Sequence, residues 1–432
     1  TRAERGQSGL AAGMVNNPGL PFFMRCLPDI YLIKALNSIT KCYLWHQKQL
    51  DGSFIKDMKH YNFDEVIERH GTSCVKFDRL KEMFGDENLV PLWVADMDFR
   101  TPDFIVDTLK KRCEHEVFGY TFGSDEYYES IINWVRYKHN WKIRREWISY
   151  IPGIVKGIAF AIQCFTRKGD KVIIQPPVYH PFRIVPEKMR REVVYNPLKM
   201  VDGIYEMDFD HLESIIDDKC KVLILCNPHN PGGIVWKKET LVRLAEICAE
   251  HNILVISDEI HAEMAYPQYT HYPFASVSDT AVSCSVTFMA PSKTFNIAGI
   301  VTSYAIVPND RVREKFYSFL EAGEFGDGTI FAYTATTAAY TYGAEWLQQM
   351  RMYIMENVRF VEEFMKQQDK SLPTPGFLPR LVGLQGTEIK SRGTRTPVQR
   401  QSRTSVERRK YLRPRRRRPH AFEHRLPPLC FR

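Results

Sequence analysis

Short apolar segments alternate with amphipathic ones through the middle of the chain, and this alternation constrains the fold more than any other feature. The segments 171–175, 221–226 and 253–258 are rich in Val, Ile and Leu and have the length of buried strands. Between the last two, residues 238–251 place Leu and Ile at helical spacing. Apolar strands separated by helices predict a mostly parallel sheet covered on both faces, and therefore an α/β fold.

Polar motifs stand where these strands are expected to end. They are Asn-Pro-His-Asn-Pro-Gly-Gly at 227–233, Ser-Asp-Glu-Ile-His at 257–261 and Ala-Pro-Ser-Lys-Thr-Phe-Asn-Ile-Ala-Gly at 290–299. In open parallel sheets, ligands bind at the carboxyl ends of the strands. A single Asp at such a position is usually a helix cap, and a single Lys is usually a solvated charge. Three motifs in this order, about 30 residues apart, instead indicate a binding site.

Charge and composition exclude several classes of protein. The net charge is +8, but residues 369–432 carry 17 Lys and Arg against 4 Asp and Glu, so the rest of the chain is mildly acidic. This distribution argues against nucleic acid as a partner of the folded body. The sequence has no run of about 18 apolar residues, so no membrane partner is expected. The ten cysteines lack zinc-type spacing and several lie in apolar runs, which favours a cytoplasmic protein without a metal site.

Five passages carry a resemblance to a known family. They are Trp-Val-Ala-Asp-Met-Asp-Phe at 93–99, Gly-Tyr-Thr-Phe at 119–122, Gln-Pro-Pro-Val-Tyr-His-Pro-Phe at 175–182, Cys-Asn-Pro-His-Asn-Pro at 226–231 and Asp-Glu-Ile-His-Ala at 258–262. From Tyr61 to Met365 the chain resembles the class I/II aminotransferase superfamily, and within it the cystathionine β-lyase (C–S lyase) branch. The resemblance implies fold type I of the pyridoxal-phosphate enzymes. In that fold a mainly parallel, seven-stranded sheet is covered by helices, and a second, smaller α/β domain follows.

The same resemblance implies a division of the chain into five parts. They are a non-family extension, an N-terminal arm, a large cofactor domain, the start of a small C-terminal domain that looks truncated, and a basic tail. The corresponding ranges are 1–57, 58–90, 91–335, 336–372 and 373–432.

The resemblance also implies the cofactor, pyridoxal 5'-phosphate, and the residues that bind it. Lys293 matches the lysine whose amine bonds covalently to the cofactor. Asp258 matches the carboxylate that keeps the pyridine nitrogen protonated, and Asn230 the amide that holds the ring 3-oxygen. His261 stands three residues after the acid, where aspartate aminotransferases have a tyrosine aimed at that oxygen. The role of His261 therefore stays open.

Further candidates surround the ring and the phosphate. Tyr179 matches the aromatic residue that stacks on the ring, with a core aromatic as the alternative. The phosphate needs N–H groups at a helix N-terminus, and a hydroxyl beside the lysine assists. The matching residues are Gly153, Ile154, Val155 and Ser292. Tyr120 matches a tyrosine that reaches the phosphate from a second subunit, with simple packing as the alternative.

The implied function is that of a homodimeric β-lyase, which converts cystathionine or another cysteine S-conjugate to a thiol, pyruvate and ammonia. An aminotransferase of the same superfamily is an alternative, because both reactions begin with removal of the α-proton. An impaired remnant is a second alternative. The arginine that many aminotransferases have after the lysine has no match, since Ile300 and Val301 stand there. The arginine that binds the substrate carboxylate has no match either.

The tail shows signs of a shifted reading frame. Residues 377–386 and 422–430, when back-translated and shifted by one base, resemble the family's last strand and its carboxylate-binding motif. We therefore expect residues from about 373 onward to be disordered or out-of-frame translation. A genuine basic tail that binds nucleic acid is the alternative, and the nucleotide sequence across codons 365–380 distinguishes the two.

Overall fold

A computed structural model describes residues 59–367 and 430–431 of the chain. The expected extension 1–57 and the tail 373–432, apart from residues 430–431, lie outside the described residues. The fold given below is that of the unit Phe63–Arg432.

Eleven strands are present among the described residues. They are β1 (Val90–Pro91), β2 (Ile148–Ile151), β3 (Lys171–Ile174), β4 (Glu192–Tyr195), β5 (Lys199–Val201), β6 (Ile204–Glu206), β7 (Cys220–Cys226), β8 (Leu254–Asp258), β9 (Ser285–Met289), β10 (Ser303–Ile306) and β11 (Cys430–Phe431). Seven of them form one sheet in the order β2-β10-β9-β8-β7-β3-β4. Strand β10 is antiparallel to both neighbours, and the other pairings are parallel. The expected mainly parallel, seven-stranded sheet is therefore confirmed.

Helices precede, separate and follow the strands. They are α1 (Val75–Asp78), α2 (Leu80–Phe84), α3 (Asp103–Cys113), α4 (Asp125–His139), α5 (Ile154–Phe165), α6 (Pro181–Lys188), α7 (Phe209–Ile215), α8 (Lys238–Glu250), α9 (Asp279–Ser283), α10 (Asp310–Ala322), α11 (Ile330–Tyr342) and α12 (Ala344–Gln367). Short 3₁₀ turns span Arg145–Trp147, Ala262–Met264, Phe274–Ser276 and Ala298–Ile300. Within the described part of the chain, no helix combines the length and apolarity that a membrane crossing requires.

Both faces of the sheet are covered, as the apolar strands predict. Side chains of a strand alternate between the two faces. Val222 and Ile224 of β7 therefore join one core with helices α5 and α10. Leu223 and Leu225 join a second core with helices α7 and α8. All four side chains are at most 1% exposed, which explains why β7 is apolar from Val222 to Cys226.

The parallel strands place several loops at one edge of the sheet. Strands β2, β3, β7, β8 and β9 all point the same way, so their carboxyl ends lie together. The residues that follow them include the three polar motifs of the sequence. Helix α11 packs against α3 and α4 and spans the expected domain boundary at 335/336. The division into large and small domains stays a prediction.

Candidate active site

Asp258 is the last residue of β8 and is 6% exposed. The strand register places it beside Cys226 of β7 and Phe288 of β9. Among the described residues, its carboxylate accepts a single hydrogen bond, to Oδ1 from the Ile260 N–H at 3.1 Å. Burial raises the pKa of Asp258 to about 7, although that hydrogen bond and the charge of Lys293 lower it. A buried carboxylate with so few donors favours a cationic partner.

This burial predicts how the stability of the cofactor-free protein depends on pH. The folded pKa of about 7 lies above the ordinary value of 3.8, so between these values the folded state keeps a proton that the unfolded state has lost. The stability that Asp258 contributes is therefore lost as pH rises through 7, by up to about 4 kcal/mol. Asp258→Asn should remove this loss, and its advantage in free energy of unfolding over the original protein should widen from pH 5 to pH 8.

Urea denaturation of both cofactor-free proteins across this range checks the expectation. His261 titrates in both proteins, with a pKa that is lowered in the folded state. Its contribution falls as pH drops below the ordinary histidine value, and it cancels in the difference between the two proteins. A difference that is constant with pH contradicts the burial of an uncompensated Asp258.

Lys293 lies in a turn after β9. This lysine turn, residues 291–297, is closed by hydrogen bonds from the Phe295 N–H to the Pro291 carbonyl at 2.9 Å and from the Ile297 N–H to the Ser292 carbonyl at 3.0 Å. Burial lowers the pKa of the Lys293 amine, while the carboxylates of Asp96 and Asp258 raise it. An amine whose pKa is lowered by burial is more readily neutral, as a nucleophile or a general base must be.

His261 follows Asp258 by three residues and is 7% exposed. Burial and the charge of Lys293 lower its pKa to about 3, against the opposing charge of Glu263. The imidazole is therefore neutral at physiological pH and can serve in a hydrogen bond but not as a cation.

Asn230 and Tyr179 come from the loops that follow β7 and β3. The Asn230 N–H donates to Cys226 Sγ at 3.2 Å. Its side-chain amide makes no hydrogen bond within the described part of the chain, so it is available for a ligand. Burial, followed by the charge of Asp258, raises the pKa of the Tyr179 hydroxyl. This electrostatic coupling indicates that Tyr179 lies near Asp258, and the Tyr179 side chain is only partly exposed.

The N-terminus of α5 offers backbone donors at the same edge. Helix α5 begins at Ile154 directly after Gly153, whose φ of 99° favours glycine, and no side chain caps this end. The Gly153 N–H is already used, since it donates to the Ile151 carbonyl at 2.9 Å and to Ser303 Oγ at 3.1 Å. The first-turn N–H groups of Ile154 and Val155 have no acceptor among the described residues, and a helix N-terminus of this kind suits an anion.

Two further predicted residues differ in exposure. Ser292, next to Lys293, is 8% exposed. Tyr120 is fully exposed, and no hydrogen bond or ring contact joins it to other described residues. Within the described part of the chain, Tyr120 therefore contacts none of the other candidate residues.

Asp96 is a site candidate to which the sequence assigned no role. Its carboxylate pairs with Arg69, and its backbone carbonyl accepts from Lys76 Nζ at 3.0 Å. Because its charge raises the pKa of Lys293, Asp96 is a second carboxylate close to the lysine. The passage 93–99 carried the family resemblance, and only the fold shows which of its side chains faces the site.

These groups fit the expected cofactor. Lys293 provides an amine for the aldehyde, and Asp258 is a buried carboxylate that needs a cation such as a protonated pyridine nitrogen. Asn230 provides an amide for the ring oxygen. The open N-terminus of α5 provides donors for the phosphate.

Comparison with known proteins agrees with this geometry. The family described as Aminotransferase class I and II matches residues 87–377. Cystathionine beta-lyase PatB of Bacillus subtilis is 45% identical over 305 residues, which are 70% of this chain and 79% of PatB. Cystalysin from Treponema denticola, whose crystal structure contains pyridoxal 5'-phosphate, matches with a TM-score of 0.69 and 35% identity over 71% of this chain and 79% of its own.

A crystal structure of the pyridoxal-phosphate-bound C–S lyase from Staphylococcus hominis matches with a TM-score of 0.69 and 33% identity. The match covers 74% of this chain and 81% of that one. The expected superfamily and fold type are confirmed, and the chain belongs to the class I and II aminotransferase family.

Proposed function

We propose that this chain is a pyridoxal-phosphate-dependent C–S β-lyase, which cleaves cystathionine or another cysteine S-conjugate. The observation that carries the proposal is the position of Lys293 and the buried Asp258 at the same carboxyl edge of the sheet, where the charge of each group shifts the pKa of the other. The 45% identity to a cystathionine β-lyase supports the lyase reaction over others of the family.

Each candidate residue has a separate task in binding. Asp258 would pair with the ring nitrogen, and Asn230 would donate to the ring oxygen. The N–H groups of Ile154 and Val155, at the positive end of the α5 dipole, would hold the phosphate. When bound, pyridoxal phosphate supplies a conjugated ring that accepts the electron pair left at the substrate Cα. Tyr179 would cover one face of that ring.

Lys293 carries out the proton transfer. Its buried amine, whose pKa is lowered by burial, takes the proton from the substrate Cα. The bond between Cβ and sulfur then breaks, and the sulfur leaves with a proton as a thiol. The three-carbon remainder takes up water and yields pyruvate and ammonia, so that all atoms are accounted for.

A product assay tests the proposal against its alternatives. The purified chain with pyridoxal phosphate should release pyruvate and homocysteine in equal amounts from cystathionine, without an added 2-oxo acid. An aminotransferase would consume amino acid only when a 2-oxo acid is supplied and would release no thiol. A remnant would show cofactor absorbance without turnover. Arg380 and Arg392, which the sequence offers as carboxylate-binding candidates in a genuine tail, lie outside the described residues.

We infer that the enzyme is a homodimer in which Tyr120 binds the cofactor phosphate of the partner subunit. Large apolar side chains are exposed together around Tyr120, which is typical of an interface. They are Val117, Phe118 and Phe122, which are 65%, 56% and 80% exposed. The full exposure of Tyr120 itself supports a role outside its own chain.

Replacing Tyr120 by Phe should weaken cofactor binding while leaving the fold unchanged. Loss of one hydrogen bond to a charged phosphate costs about 1.5–3 kcal/mol, which corresponds to a Kd roughly tenfold to a hundredfold higher. Equilibrium dialysis with pyridoxal phosphate gives the Kd. Tyr137→Phe is the matched control, because Tyr137 is also exposed, at 68%. Equal Kd values for the two variants would exclude Tyr120 from the site.

A further inference from the structure

Two side chains of the lysine turn bind groups that lie outside it. Thr294 Oγ1 donates to Glu263 Oε2 at 3.2 Å. Asn296 Oδ1 accepts from the Met97 N–H at 2.9 Å, and Asn296 Nδ2 donates to the carbonyls of Met97 and Phe99 at 2.9 and 2.7 Å. Thr294 and Asn296 stand one and three residues after Lys293, so both contacts are made close to the lysine.

Glu263 is a buried, ionised anchor. It is 3% exposed and lies in the 3₁₀ turn Ala262–Met264. Although burial acts to raise its pKa, contacts with His139 and Trp134 hold the pKa below its ordinary value. Trp134 Nε1 donates to Oε1 at 3.0 Å, and His139 Nε2 lies 3.5 Å from the same oxygen. Glu263 therefore joins helix α4 and the segment that follows Asp258 to the lysine turn.

Asn296 suits its position through both its backbone and its side chain. Its φ is 56°, in the left-handed region that Asn tolerates better than most residues. Its side chain makes three hydrogen bonds to the backbone of residues 97–99. That segment begins directly after Asp96, whose carboxylate raises the pKa of Lys293. Asn296 therefore fixes the lysine relative to Asp96, as Glu263 fixes it relative to Asp258.

We propose that Glu263 and Asn296 are positioning residues that set where the Lys293 amine lies between Asp258 and Asp96. The proposal rests on the function given to Lys293 above and extends it to two residues that do not touch the substrate. A general base must be held within a fraction of an ångström and a few tens of degrees of its working geometry. A turn that is hydrogen-bonded to two separate segments of the chain meets this requirement.

Three substitutions test the two anchors separately. Thr294→Val and Glu263→Gln each alter one end of the same hydrogen bond, with little change of shape. Asn296→Gly keeps the left-handed backbone accessible and removes the three side-chain bonds. Two matched controls make the same chemical changes elsewhere. Thr336→Val removes the buried hydroxyl that pairs with Thr302 at 2.8 Å, and Asn140→Gly replaces another Asn with positive φ, 51°.

The first measurement needs no turnover. In the cofactor-free protein, Lys293 is labelled with acetic anhydride over a range of pH, and the labelled peptide is quantified by mass spectrometry. Thr294→Val, Glu263→Gln and Asn296→Gly should shift the labelling midpoint or rate of Lys293, and the two control variants should not. The second measurement is kcat and KM for cystathionine. Displacement of the base should lower kcat by about tenfold to a hundredfold and change KM much less.

The outcomes distinguish a role in positioning Lys293 from a role in stabilising the fold alone. Thr294→Val and Asn296→Gly are compared with their controls at equal loss of thermal stability, and Glu263→Gln is compared with the original protein. The proposal is overturned when all three variants lose thermal stability but keep the Lys293 labelling profile and the kcat of the proteins they are compared with. If the original protein does not cleave cystathionine, the proposed function fails, and the labelling profile still decides whether the two anchors place the lysine.

Discussion

Lys293→Ala is expected to abolish turnover and covalent attachment of the cofactor while leaving the fold intact. The lysine side chain makes no hydrogen bond to a described residue and belongs to neither apolar core. Its removal therefore costs little packing and relieves the burial of an amine whose pKa is already lowered. General-base catalysis alone contributes about 10²–10⁴-fold, and loss of a residue that is both nucleophile and base costs up to about 10⁶-fold.

Three measurements check this expectation. Pyruvate release from cystathionine should fall to background, and circular dichroism should stay unchanged. Borohydride reduction of the original protein with its cofactor should modify the peptide that contains Lys293. Lys138→Ala is the matched control, because burial also lowers the pKa of the Lys138 amine, on helix α4. Modification of any other lysine by borohydride would refute the assignment of Lys293.

The fold was largely predictable because buried strands and helix faces are apolar, and this shows in the local sequence. The apolar segments 171–175 and 253–258 became the strands Lys171–Ile174 and Leu254–Asp258, one residue shorter each. Helix α8 buries Leu241, Leu244 and Ile247 at the spacing that predicted it. A strand buried on both faces must be apolar throughout, so its composition alone identifies it.

The residues at strand ends were predictable for a related reason. Asp258 ends one apolar strand and Lys293 lies in the turn after the next, where the topology of a parallel sheet brings them together. Their electrostatic state was not predictable. The pKa of about 7 for Asp258 depends on how completely the folded chain excludes water from the end of β8.

The positioning residues could not be predicted from the sequence, because the residues they contact are distant along the chain. In the sequence, Glu263 cannot be told from a solvated glutamate. Its role depends on a hydrogen bond from Trp134, which lies 129 residues earlier. Asn296 binds Met97, which is 199 residues away. Neither separation leaves a periodic pattern in the sequence. Their proposed role follows only from their contacts with the lysine turn, which the folded structure shows.

Asp258→Ala is expected to slow removal of the substrate α-proton by at least about 10³-fold. In the proposed site Asp258 is the preorganised partner of the ring nitrogen, and loss of one such electrostatic partner costs about 10²–10³-fold. The effect should be larger here because the lost partner carries a full charge. Asp258→Glu should be less severe but still slow, since the longer side chain moves the carboxylate away from its place at the end of β8.

Proton exchange separates this step from C–S cleavage. Alanine has no leaving group at Cβ, so the rate at which its α-proton exchanges with deuterium in D₂O, followed by NMR, reports proton removal alone. An unchanged exchange rate in Asp258→Ala would remove this carboxylate from the site.

The next residue, Glu259, provides a demanding control. Glu259 is fully buried, and its oxygens accept hydrogen bonds from Ser257 Oγ and the Phe274 N–H at 2.8 Å each, while His271 Nε2 lies at 2.8 Å.

The contrast between these two adjacent carboxylates distinguishes a structural group from a ligand-binding one. Glu259 is satisfied within the protein, so Glu259→Gln should lower the thermal stability, because an amide N–H₂ group replaces one of the two carboxylate oxygens that make these hydrogen bonds. It should leave the rate of α-proton exchange within about tenfold of the original rate, because Asp258, the proposed partner of the ring nitrogen, is still present. A tenfold change in rate corresponds to about 1.4 kcal/mol. Asp258 has one internal donor and a raised pKa. Its replacement should therefore preserve or increase the stability of the cofactor-free protein while proton exchange collapses. If Asp258 binds the cofactor, its replacement should not lower the stability of the cofactor-free protein, whereas replacement of Glu259 should. Only the replacement of Asp258 should abolish α-proton exchange.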